Sequence, residues 1–295
     1  MKYLVALIIA VLVSLCVPAH AGKAIDYTQL SAVKRLRAEK RYDEALQKLE
    51  ALAAKADEAS VNYTYLSQAI DIAVDSLKNA DRALALAASL KDPTLRDFEK
   101  LRVLADFQRH DEALAFMRDK DIAAWPVRVR GQAHGILAAI YHEKKDAAAE
   151  LAQWQLAADE PGAEIVVRGR ALRESGVLFQ KQGNTAKAEE QYRKALQVTS
   201  SNYSWRVECL VALSRLLVEQ QRAKEAVKAF DGTDFTKVTS ITSHGNLIEA
   251  YARALLAAGK KIRAIETFDQ LLALDLPASW KDRINKELDQ MAEEF

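Results

Sequence analysis

With only ten glycines, five prolines and two cysteines in 295 residues, the chain lacks the raw material of several protein classes. Sparse Gly and Pro, and aromatics at 7%, argue against a sheet protein, whose strands favour aromatic and β-branched residues. No Cys-x-x-Cys and no His-Glu-x-x-His stands anywhere, so no zinc pattern is present, and there is no Gly-rich phosphate loop. A net charge of +1 removes the basic footprint that nucleic-acid binding requires. What remains is a chain that is half hydrophobic and 28% charged, a profile suited to packed helices.

Long apolar runs are also scarce; one opens the chain. Lys2 precedes a run from Tyr3 to Val17, and Pro18-Ala19-His20-Ala21 follows with small residues at a cleavage site. This pattern predicts a secretory signal peptide over residues 1–21, cut after about Ala21, and hence a periplasmic or secreted protein. The run falls short of the roughly 20 apolar residues of a spanning helix, so no integral span is expected after cleavage; an uncleaved anchor is the alternative. Cys16 follows Val13-Ser14-Leu15, which resembles a lipoprotein cleavage box only faintly, because Leu15 is large where a small residue belongs. Cleavage would remove Lys2 and Cys16, leaving 41 cations against 41 anions and Cys209 as a lone thiol with no internal disulfide partner. Its place between helix-facing positions predicts a buried, inert thiol, with a reactive or intermolecular one as the other reading.

The most regular stretch runs from Leu172 to Val198. Leu172, Ser175, Gly176 and Phe179 fall on one helical face, Gly183 suits a left-handed C-cap, Asn184 suits the next N-cap, and Ala188, Tyr192 and Ala195 line a second face. Three columns repeat at a 38-residue step. Trp154, Tyr192, Phe230 and Phe268 form one, Tyr141, Phe179, Leu217 and Leu255 another, and Ala138, Gly176, Ser214 and Ala252 the third. The pattern of large, small and aromatic residues resembles the tetratricopeptide repeat family. That resemblance implies an all-α, right-handed α-solenoid of about seven helix-turn-helix repeats, acting in protein–protein interaction.

Residues 22–126 read as degenerate repeats, residues 127–276 as the regular array, and residues 277–295 as a C-terminal capping helix. In the first part, Asp71 falls where a small residue belongs, and Trp125 is a candidate wedge between the halves. In the second, Glu150 replaces the small residue seen at Ala188, Ala226 and Ala264, so Ala147 to Ala149 are expected to supply the close contact instead. After Phe230, Asp231-Gly232-Thr233 signals a turn, and residues up to Ser243 read as a connector, with a ligand-facing loop as the alternative. Pro277 and Ser279 open the last helix, Ser279 and Asp282 suggest a capping box, and Trp280, Ile284, Leu288 and Met291 form its apolar stripe. The expected role is to cover the open end of a stack; a detachable partner or membrane helix is the other reading.

No catalytic constellation assembles, and the chain reads as a non-enzyme without cofactor or metal. His134 and His142 diverge by about 80° around a helix, and His134 occupies the column of Leu172, Leu210 and Ile248. Ser31-Ala-Val-Lys34 matches the Ser-x-x-Lys form of penicillin-binding enzymes, and Ser200-Ser-Asn202 resembles their second motif, yet no Lys-Thr-Gly-like third motif follows. Asn62-Tyr-Thr64 and Asn202-Tyr-Ser204 are glycosylation sequons by form.

The family resemblance implies a concave groove lined by the first helices of successive repeats. On this chain it carries to Arg170, Arg173 and Lys181, then Glu208 and Arg215, then Asn246, Glu249 and Arg253, with Lys34, Arg37 and Arg102 as further candidates. Arg173, Lys181, Arg215 and Arg253 would form a basic stripe suited to a protein or peptide partner with an acidic or carboxylate-ended segment. The alternative is a solvated face balanced by Glu208, Glu219 and Glu249. The expected function is an exported scaffold or adaptor; the alternative is a regulatory or substrate-presenting subunit of a cell-envelope enzyme complex.

Overall fold

In the computed structural model, which describes residues 25–199 and 203–293, every regular element is helical. The signal segment with Cys16 and Ala21, the Ser200-Ser-Asn202 stretch with its sequon, and the side chain of Met291 lie outside what is described. Seven helix hairpins follow one another: α1 Tyr27–Ala38 with α2 Tyr42–Ala54, α3 Ala59–Asp71 with α4 Ala80–Ala88, α5 Pro93–Asp106 with α6 His110–Met117, and α7 Val127–Glu143 with α8 Ala147–Asp159. Then come α9 Ile165–Lys181 with α10 Thr185–Val198, α11 Tyr203–Glu219 with α12 Ala223–Ala229, α13 Ile241–Ala257 with α14 Lys261–Leu272, and a last single helix, α15 Ala278–Glu293. The architecture is that of an all-α solenoid. Six of the helices start where short polar side chains satisfy orphan backbone donors: Asp26, Asn79, Asp92, Asp146, Asn184 and Ser240 each accept a bond from an N–H of the first turn.

The hairpin turns share one geometry. Lys40, Lys78, Gln108, Lys145, Gly183, Gln221 and Gly259 all adopt the left-handed conformation, with φ between 51° and 75°. In six of the seven hairpins the residue after it sends its N–H back five positions, as in Asn184 to the Phe179 carbonyl at 2.9 Å and Arg222 to the Leu217 carbonyl at 2.8 Å. The exception is the second hairpin, where Asn79 reaches back six positions to Ala73 at 2.9 Å. One additional residue is absorbed there by a π-helical turn, Ile72–Ser76. That shift places Ile70, fully buried, in the register expected of Asp71, which lies instead at the rim of an ion cluster.

Contacts divide the chain into two compact units, with the boundary between Ile140 and Tyr141. The first unit's core gathers Val33, Leu49, Tyr65, Ile70, Ile72, Leu86, Leu90 and Val103. Trp125 is buried here, edge-on to Phe98 at 6.4 Å between ring centres. Asn62 is buried too: its amide donates to the Ala53 carbonyl at 3.2 Å and accepts from the Lys91 N–H at 3.1 Å, so the first sequon is a structural clamp rather than an accessible acceptor.

In the second unit the members of the 38-residue columns are buried, except Tyr141, which is half-buried. Trp154, Tyr192, Phe230 and Phe268 are all buried, and Ala188, Ala226 and Ala264 are wholly excluded from solvent. The α9–α10 hairpin shows why small residues recur: a Cβ built on Gly176 would lie 2.7 Å from Cδ1 of Tyr192, so the ring rests directly on the α9 backbone. Glu150 corrects one expectation. Ala147 and Ala148 are exposed and provide no close contact, whereas Glu150 is itself buried, 3.1 Å from His142 Nδ1 and accepting from Trp154 Nε1 at 3.4 Å. A carboxylate with two such partners can occupy a position elsewhere reserved for alanine. The segment after Phe230 packs inward, with Phe235 stacked on Phe230 at 6.3 Å and close to Tyr251 at 5.7 Å.

α15 packs Trp280, Ile284 and Leu288 against Ile248, Ala252, Phe268, Leu271 and Leu276. The helix begins at Ala278, with the Trp280 N–H bonded to the Pro277 carbonyl at 2.9 Å, so Ser279 lies inside the first turn and is not the cap of a capping box.

Candidate groove in the second unit

The candidate groove residues belong to α9, α11 and α13, the first helices of three successive hairpins. A cleft of about 260 Å³ opens between these helices, lined by Arg173, Val207, Glu208, Val211, Arg215, Ser243 and Asn246. Three of the residues expected from the sequence, Arg173, Arg215 and Asn246, therefore share one site, although they lie far apart along the chain. Val207 and Val211, one turn apart on α11, give it an apolar strip, a feature to which the charge pattern does not point.

The polar groups differ in how far they are already engaged. Arg173 binds Glu174 and lies 3.5 Å from Glu208 Oε2, while its buried Nε has no hydrogen bond. Arg215 is exposed and forms no ion pair with any described residue, and the Asn246 amide has no hydrogen-bond partner among them. The balancing acids of the solvated-face reading are largely committed elsewhere. Glu219 accepts from Gln180 Nε2 at 2.7 Å, and Glu249 is consumed by the capping helix. Glu208 remains as the one carboxylate on the cleft wall.

Arg170, Lys181 and Arg253 do not line the cleft. Arg170 lays its guanidinium over the Trp154 ring at 5.1 Å, and burial lowers its pKa from that of an ordinary arginine. Lys181 is exposed at the end of α9. Arg253 is not a free cation: its Nε donates to Glu249 at 2.9 Å and its two Nη donate to Glu287 of α15, each at 2.9 Å. The four-residue basic stripe is thus broken, because α15 supplies the acid that Arg253 needs. Arg102 likewise belongs to an ion cluster, bound to Asp71 and Glu99, while Lys34 and Arg37 are exposed on α1.

The capping helix is latched by a single buried carboxylate. Glu249 Oε1 accepts from Arg253 Nε at 2.9 Å and Arg283 Nη1 at 2.8 Å; its Oε2 accepts from Trp280 Nε1 at 2.7 Å and Arg283 Nη2 at 3.0 Å. Burial disfavours the charged form, but the hydrogen bonds from Arg283, Arg253 and Trp280 outweigh it and hold the Glu249 carboxyl down at about 2. A second periodic feature carries no hydrophobic mark: Arg168 Nε reaches the Ala158 carbonyl at 3.3 Å, and Arg206 Nη1 the Leu196 carbonyl at 3.2 Å. Each guanidinium caps the end of the preceding helix, and the 38-residue step between the two was the available signal.

The remaining candidates for chemistry are dispersed. Ser31 Oγ donates to the Tyr27 carbonyl within its own helix, at 2.9 Å. Cys209 is fully buried, and burial pushes its thiol up to about 12. Among the described residues, no group of three or more His, Cys, Asp or Glu side chains is placed to hold a metal, and no helix is long and apolar enough to cross a membrane.

No protein-family model matches this chain, and no curated protein matches it in sequence. Solved structures do resemble it. The C-terminal part of a TPR repeat-containing protein from Cytophaga hutchinsonii is 14% identical, with a TM-score of 0.50 over 83% of this chain and 95% of that one. A signal-transduction ATPase with numerous domains from Pyrococcus horikoshii, bearing a tetratricopeptide repeat sensor, is also 14% identical, with a TM-score of 0.52. That match covers 83% of this chain but only 41% of the ATPase. At such identities the likeness is one of fold: a tetratricopeptide-type helical repeat.

Proposed function

We propose that this chain is an exported scaffold or adaptor that holds an acidic or carboxylate-ended segment of a protein partner in the cleft between α9, α11 and α13. The observation that carries this reading is the Arg215 guanidinium, free of ion pairs with described residues, beside the equally free Asn246 amide and the partly engaged Arg173. Guanidinium groups match carboxylates geometrically, an amide can serve a peptide backbone through both its donor and acceptor, and Val207 and Val211 offer apolar surface between them. Helical repeats present concave surfaces of this kind. Export rests on the apolar run from Tyr3 to Val17 and the small residues up to Ala21.

Anisotropy titrations with labelled Glu/Asp-rich peptides, bearing free or amidated C-termini, and with Lys-rich controls test the cleft. The expected result is selective, salt-sensitive binding of the acidic peptides that weakens at least about tenfold in Arg215→Glu. Equal affinity for Lys-rich peptides, or affinity untouched by Arg215→Glu, would defeat the proposal. Export is checked separately by fractionating a bacterial host and reading the mature N-terminus, expected at Gly22.

A further inference from the structure

The first unit contains a second cluster of charge, away from the cleft and used by nothing described so far. Arg102 of α5 stands at its centre, largely buried, with Asp71 of α3 at 2.9 Å, Glu99 at 2.7 Å and Asp106 at 4.0 Å. Glu99 is fully served, since Tyr63 of α3 also donates its hydroxyl to it at 2.9 Å. Asp71 takes the remaining close Nη1. Asp106 is left over: its Oδ2 is sealed from solvent and has no hydrogen bond. One guanidinium thus faces three carboxylates, and Asp75 on the π-helical turn adds a fourth charge to the same surroundings. A second cation, Arg128 of α7, lies over the Tyr63 ring at 5.1 Å. Asp106 is also the last residue of α5, where unsatisfied carbonyls disfavour an anion.

We propose that this cluster is a proton-operated latch: with a proton on Asp106 the α5 end and the π-helical turn pack tightly, and loss of that proton sets surplus carboxylates against one another and loosens them. Burial, supported by the negative charges of Asp75, Glu99 and Asp71 and opposed by Arg102, raises the Asp106 carboxyl to about 6. Asp71 is raised in the same direction, again by burial first. A carboxyl raised in the folded state binds its proton more tightly there than in the unfolded chain. The cluster's contribution to the stability of the first unit is therefore greatest below about pH 4 and is lost as pH rises through 6. The direction is opposite to that of Glu249 in the second unit.

Amide hydrogen exchange of the full chain, corrected for intrinsic rates and read on peptides covering residues 70–80 and 99–109, tests this at pH 5, 6 and 7.5. Between pH 5 and 7.5 protection of both segments should fall by about tenfold, the rest of a limit of roughly hundredfold, set by the ratio of proton affinities in the folded and unfolded chain, lying below pH 5. In Asp106→Asn it should stay level. Flat protection in the natural chain, or the same pH dependence in Asp106→Asn, overturns the latch. Should the variant fail to fold, a carbon-detected carboxyl titration of the natural chain decides: a midpoint for Asp106 near 6 supports the proposal, and one near 4 ends it.

Discussion

Replacing Glu249 by glutamine should unfasten the capping helix, and the loss should itself titrate. The carboxylate receives four hydrogen bonds, from Arg253, Arg283 twice and Trp280, at 2.7 to 3.0 Å, with a side chain only 8% exposed. Its carboxyl is held at about 2 against an ordinary 4.5. A tenfold change in proton affinity corresponds to about 1.4 kcal/mol, so the charged form contributes about 3 kcal/mol to the second unit at neutral pH. Because the folded-state value lies below the unfolded one, this contribution is complete above pH 4.5 and disappears as pH falls towards 2. Glu249→Gln keeps the shape and removes the charge. Arg253 retains Glu287, while Arg283, half exposed, returns to water, which trims the expected loss to about 2–3 kcal/mol. Urea unfolding of both proteins, followed by far-ultraviolet circular dichroism and by Trp fluorescence, measures the difference. It should be full at pH 7, about half near pH 3 and nearly absent at pH 2. A difference that is the same at pH 7 and pH 2.5 would mean that packing, rather than charge, holds α15, and the reasoning would fail.

Three further outcomes follow from the hairpins. Gly176→Ala should destabilise the second unit by about 1–3 kcal/mol, since the new methyl collides with the Tyr192 ring beneath which the α9 backbone runs; the shift in urea midpoint reads it directly. Gln221→Gly and Lys145→Gly, where non-glycine residues stand at φ of 61° and 60°, should each stabilise by about 0.5–1 kcal/mol because the left-handed conformation costs glycine nothing. Gly183→Ala, at φ of 75°, should lose a similar amount, read by the same urea midpoints.

Much of the fold was legible because a helix face is a local, periodic property. Phe179, Tyr192 and Ala188 announce their buried faces by spacing alone, and repetition at 38 residues removes the ambiguity of any one copy. The turn column was only half legible: Gly183 declares a left-handed cap, but Lys145 and Gln221 fill the same role without any compositional mark. The site was less legible still. Arg215 and Arg253 are 38 residues apart in equivalent positions, yet one is free and the other is bound to Glu287. That distinction depends on a helix that packs back onto α13 and is invisible in the arginine's own neighbourhood.

Sequence by itself thus determined the helical hairpins and the buried columns, because both follow from side chains three, four and 38 residues apart. Tertiary structure decided which charges are spent and which are available. Ion pairs such as Glu249 with Arg283 and Arg102 with Asp71 join separate helices, and a charge's role depends on the partner that packing brings within about 3 Å.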